Sequence, residues 1–115
     1  MSRAALVLPL ALTLPLTLPA AADWPVFRGD ALMTGAAPPR PAPLADPLEV
    51  RWVFKAKDMI EGAPAIVDGV AYVASLDRHL YALDLATGKE KWKQKLGAMR
   101  ASPGVKGGRV YVGDI

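Results

Sequence analysis

The chain contains no cysteine. Disulfides are therefore excluded, and so is a lipid-modified thiol near the N-terminus. There is one histidine, His79, so no His/Cys metal site can be assembled by spacing. The charges form no block of one sign. Beyond residue 22 there are 13 Lys and Arg against 11 Asp and Glu, interspersed, for a net charge of +2. That distribution gives no electrostatic footprint for nucleic acid. No helical apolar stripe of useful length is present. The apolar run from Ala4 to Leu18 is short for a membrane span and is broken by Pro9 and Pro15.

What the N-terminus does have is the layout of a secretory signal. Arg3 is a short positive region, Ala4 to Leu18 is the apolar stretch, and Ala20-Ala21-Ala22 is a small-residue cleavage site. The expectation is that residues 1–22 are removed. The rest is then exported, periplasmic or secreted, with no membrane span after cleavage. Residues 23–47 read as a lead-in. "DWPVFRGDALMTG" is followed by "AAPPRPAPLADP", whose prolines Pro38, Pro39, Pro41, Pro43 and Pro47 favour an extended, polyproline-like path. Trp24, Phe27, Arg28 and Asp30 are the residues of this arm that could dock on a surface.

From residue 48 the texture is that of short strands. "EVRWVFKA" alternates around Trp52 and Phe54 and reads as an outer strand. "APAIVDGVAYVAS" is two β-rich runs joined by Asp68-Gly69, a strong two-residue hairpin signal. "HLYALD" and "KEKWKQKL" follow, so residues 63–96 predict a four-stranded antiparallel meander. The pattern then recurs. Pro64, Gly69, Tyr72 and Val73 match Pro103, Gly108, Tyr111 and Val112, each 39 residues on, and Trp52 and Trp92 are 40 apart. A repeat of about 40 residues with four strands is the period of a β-propeller blade. Residues 63–96 are one full blade, and 102–114 are the first two strands of the next. Because a blade buries its faces only against neighbours, this count predicts a fragment of a longer protein.

The most specified stretch is "ALDLATGKEKW". Asp84 at a strand end can accept backbone N–H groups two or three residues on, Thr87 can do the same, and Gly88 supplies positive φ. Ala82 is small enough to let another surface approach. Trp92 offers a flat indole suited to wedging between blades. Lys89, Lys91, Lys93 and Lys95 blunt an outer edge against unwanted pairing.

Ala82, Asp84, Thr87, Gly88, Lys89 and Trp92 fill every named position of A-x-D-x-x-T-G-K-x-x-W, which resembles the tryptophan-docking motif of the pyrroloquinoline quinone (PQQ)-like repeat family. "GAPAIVDGVAYV" and "ASPGVKGGRVYVG" look like that family's first two blade strands, and "DWPVFRGDALMTG" is similar to its lead-in. Two places depart from it. Asp77-Arg78 stands where Asp-Gly is usual, and Lys106-Gly107 where Val/Ala-Asp is common. The resemblance implies an all-β fold, a fragment of a propeller that is eight-bladed when complete. Under it, Ala82, Asp84, Thr87, Gly88, Trp92 and Trp52 fix blades together and touch no substrate.

In texture the chain is closest to the non-enzymatic periplasmic members. The function expected is a non-catalytic scaffold presenting a protein- or ligand-binding propeller face, with no cofactor and no reaction implied. The alternative is the N-terminal part of a quinoprotein dehydrogenase. There, by resemblance, Glu61 in "IEGAP" would approach PQQ, calcium would accompany it, and the catalytic residues would lie beyond Ile115. The paired cysteines that many alcohol-oxidising members carry have no counterpart here. The bland reading of Glu61 is a rim pair with Arg100, its equivalent in the next repeat. A sensor module fused to a kinase or other enzyme is a third class. His79 reads as a hydrogen-bonded turn residue, Met59 and Met99 as packing residues, and Tyr72, Tyr81 and Tyr111 as blade interior.

Overall fold

In the computed structural model, which describes residues 23–37 and 47–115, Asp68 and Gly69 both take positive φ, +50° and +72°. That is the requirement of a two-residue type I′ hairpin turn. It joins β1 (Ala65–Val67) to β2 (Val70–Ala74), with Val67 opposite Val70. Strands β3 (His79–Asp84) and β4 (Glu90–Lys95) continue the chain, and all four pair antiparallel in the order β1-β2-β3-β4. One repeat later, Gly107 and Gly108 make the same turn between β5 (Gly104–Lys106) and β6 (Arg109–Tyr111). Among the described residues there is no helix, and the sheet is one propeller blade with the first hairpin of a second beside it. The expected signal, 1–22, and most of the proline-rich stretch lie outside the described residues.

The blade is apolar on both faces, which is why "VAYVA" and "HLYALD" show no polar side. Ala71, Val73, Tyr81 and Leu83 point one way and pack on Trp52, Phe54 and Ala56. Ala74 and Leu80 point the other way and pack on Met99, Val110 and Val112. Strand β3 is accordingly buried over Leu80–Leu83, whereas β4, the outer strand, is exposed along its length. A sheet that covers each face with a neighbour has the logic of a stacked repeat.

Three expectations are corrected here. The segment around Trp52 keeps its alternating exposure, but it forms no strand, because no described strand lies beside it to supply a ladder. Met59 is 61% exposed instead of packed, while Met99 is fully buried. The layer that covers Met99 is the face of the preceding blade, and no such layer stands beside Met59 among the described residues. Tyr111 is exposed for the same kind of reason, since only β5 pairs with β6 there.

Candidate functional site

The turn after β3 is closed by the residues the sequence singled out. Asp84 Oδ1 accepts the Thr87 N–H at 2.8 Å and the Thr87 hydroxyl at 2.9 Å, and the Asp84 carbonyl accepts the Gly88 N–H at 2.8 Å. These bonds to Thr87 hold the Asp84 carboxyl below the usual carboxylate range. Gly88 takes φ +71°. A Cβ added to it would lie 2.5 Å from the Trp52 ring, so the indole rests flat against the glycine. Trp52 Nε1 then donates to the Leu85 carbonyl at 2.9 Å. One tryptophan thus takes both its packing surface and its hydrogen-bond acceptor from the turn of the following repeat.

Ala82 has its own role. In the register it lies between Tyr72 on β2 and Trp92 on β4, all three on one face. The two rings meet over its methyl group, centroids 5.9 Å apart. A larger side chain at Ala82 would stand between them. A register shift between Ala82 and Leu83 lets Trp92 face Ala82 while Glu90 faces Leu83.

Trp52 is thus a wedge between consecutive repeats, whereas Trp92 packs within its own sheet. The family model described as outer membrane protein assembly factor BamB matches residues 45–114. The chain belongs to the PQQ-like repeat family. It is similar to the serine/threonine-protein kinase AfsK of Streptomyces coelicolor, 33% identical over 100 residues, which are 82% of this chain and 12% of the kinase. It is also similar to the outer membrane protein assembly factor BamB of Yersinia pestis, 38% identical over 55 residues, 48% of this chain and 14% of that protein. The chain therefore spans only about an eighth to a seventh of the length of these curated relatives.

At the other end of this PQQ-like repeat, the segments ahead of β1 and β5 run side by side. Glu61 Oε2 is 3.6 Å from the Arg100 guanidinium, with the side chains 37% and 61% exposed. The Ala63 N–H donates to Ser102 Oγ at 2.8 Å, and a Cβ on Gly62 would strike the Ala101 carbonyl at 2.8 Å. Glu61 and Arg100, Gly62 and Ala101, and Ala63 and Ser102 are equivalent pairs, so two repeats are matched residue for residue along this strip. No group of three or more His, Cys, Asp or Glu that could hold a metal converges among the described residues.

Sequence reasoning passed over Asp77. Its side chain is only 4% exposed, and its carboxylate accepts the Tyr81 hydroxyl at 2.6 Å, the Lys57 N–H at 2.9 Å and the His79 N–H at 3.0 Å. Burial pushes its pKa up, but these hydrogen bonds outweigh burial and hold it below the usual range. Burial first, and then the Asp77 carboxylate, push the Tyr81 hydroxyl up to about 12. The Lys57 bond ties the preceding segment to this blade, and Phe54 meets Tyr81 edge-on at 4.8 Å. The signal was the Asp-Arg departure itself. Arg78 takes φ +71°, the backbone that the family's usual glycine would supply. His79 Nδ1 lies 3.0 Å from the Asp77 carbonyl, in the same turn.

Proposed function

We propose that this chain is part of an exported PQQ-like propeller that works as a non-catalytic scaffold, presenting a propeller face to another protein or a ligand. The observation that carries this reading is the use to which the motif is put. Trp52 and Gly88 fasten one repeat to the next, and Asp84 and Thr87 are consumed in closing the turn that receives Trp52. Glu61, the residue through which a quinone would be approached, is half-exposed in an ion pair with Arg100 instead. The likeness to a protein named as an outer membrane assembly factor supports a protein-binding role. In this reading the propeller needs no cofactor.

Two experiments test it. The purified full-length protein is expected to show no quinone absorbance and no dye-linked alcohol oxidation after incubation with PQQ and calcium. Activity restored by that treatment would overturn the scaffold reading. Export is tested by cell fractionation and N-terminal sequencing, which should place the protein outside the cytoplasm and beginning at Asp23. A cytoplasmic protein that retains Met1 would contradict it.

A further inference from the structure

The lead-in is more than an entry to the repeats. The Trp24 N–H donates to the Ile66 carbonyl at 2.6 Å, and the Trp24 carbonyl accepts the Ile66 N–H at 2.8 Å, a reciprocal pair of the antiparallel ladder type. The very next carbonyl, that of Pro25, accepts the Val105 N–H at 2.7 Å. Ile66 and Val105 are 39 residues apart and occupy the same position in consecutive repeats. Each lies in the first strand of its hairpin, on the edge that no other strand takes among the described residues. A single residue step in the arm therefore crosses from one blade to the next. Pro25 suits the crossing, because it brings no N–H to be left unpaired there.

The arm is braced for this position. The Asp23 carboxylate accepts the Asp68 N–H at 3.0 Å, at the tip of the first hairpin. Gly29 takes φ +87°, and a Cβ there would lie 2.8 Å from the Trp24 ring, so the indole folds back onto the glycine. Asp30 caps its own loop by accepting the N–H groups of Leu32 and Thr34 and the Thr34 hydroxyl. Val26 comes to 3.8 Å from the Cβ position of Gly104. Pro25, Val26 and Ala31 wall one side of an apolar recess of about 390 Å³ whose other side is Val105 and Tyr111.

We propose that the lead-in is a strap that fastens the two consecutive blades at their inner edges and walls an apolar recess against the second hairpin. An extended segment hydrogen-bonded to a free strand edge is the geometry of strand addition. While the arm is docked, it occupies in cis the edge positions that an extended peptide would use. The inner edges of both blades are thereby closed to such a partner at Ile66 and Val105.

The absence of cysteine gives a clean test in the full protein. The pair Val26→Cys/Gly104→Cys should oxidise to an intramolecular disulfide, read as a mass loss of two hydrogens. The control pair Val26→Cys/Lys93→Cys, which reaches to the outer strand, should not. Failure of the first pair, or equal cross-linking in both, would overturn the strap. A second measurement leaves the blades untouched. Gly29→Val should dislodge the arm and speed amide exchange at Ile66 and Val105 by about tenfold or more, with β3 amides unchanged. Unchanged exchange at both amides would contradict the proposal.

Discussion

Trp52 and Trp92 stand at the same position one repeat apart, in different surroundings. Trp52 has the Gly88 backbone under its ring and the Leu85 carbonyl at its Nε1. Trp92 has Tyr72 of its own sheet and keeps 42% of its surface exposed, beside a recess of about 590 Å³ lined by Leu80, Leu96, Val110, Tyr111 and Val112. The tryptophan is one half of a contact whose other half is the turn of the following repeat. That turn follows Trp52 by 36 residues, and the same offset from Trp92 leads past Ile115. Met59 and Met99 show the converse. Met99 is covered by the blade before it, and Met59 has no such cover among the described residues. Trp52 is thus docked where Met59 is exposed, and Met99 is buried where Trp92 is half-exposed.

Replacing the two tryptophans is the strongest way to sharpen that contrast. Trp52→Ala should cost about 3 kcal/mol of stability, the loss of a docked indole with its hydrogen bond, read from denaturant midpoints. In a chain ending at Ile115, Trp92→Ala should cost about half as much, since much of its ring is there in water. Equal losses would break the comparison, because they would mean that Trp92 is covered as fully as Trp52.

A middle-sized effect is expected at the second tie across the Trp52 boundary. Tyr81→Phe leaves the buried Asp77 carboxylate one donor short and should cost about 1–2 kcal/mol at neutral pH. The sign with pH follows from the lowered carboxyl of Asp77. Its contribution is fully present above the ordinary value of 3.8 and is lost as pH falls through the lower folded value. The gap between wild type and Tyr81→Phe should therefore narrow in acid. A gap that stays constant into acid would remove Asp77 from the account.

The smallest effect belongs to the rim. Glu61 and Arg100 are too exposed for their ion pair to contribute much, and Glu61→Gln should change stability by less than about 0.5 kcal/mol. Any change should shrink further in high salt. A loss as large as that at Trp52 would show that the two repeats are held at the rim rather than at the outer turn.

The sequence shows whatever a repeat carries within itself. The type I′ hairpins, the four-stranded order and the Asp84–Thr87–Gly88 turn depend on residues within a few positions of one another, and each was legible. Contacts between repeats were legible only as residue types. The motif pointed to Trp92 as a wedge, but it did not show that Leu85 would accept a hydrogen bond from Trp52, 33 residues earlier. The strand expected at Trp52 failed because a strand needs a neighbour, which alternation alone cannot supply. Asp77 was marked only by the Asp-Arg departure, and its role was not legible because one of its three donors, Lys57, lies 20 residues upstream of it. The strap at Trp24 carried no periodic signal at all, since one residue makes the ladder bonds.

The central claim is that the tryptophan of one repeat seats on the turn glycine of the next. A double-mutant cycle of Trp52→Ala and Gly88→Ala measures that contact directly. In the wild-type background Gly88→Ala combines a left-handed backbone with a methyl group driven into the indole. It should therefore cost more than Gly69→Ala, where φ is +72° and no atom lies within 4 Å. With Trp52 already removed, the two glycine substitutions should cost the same, which corresponds to a coupling energy of about 1 kcal/mol or more. Strictly additive losses at Trp52 and Gly88 would contradict the docking account.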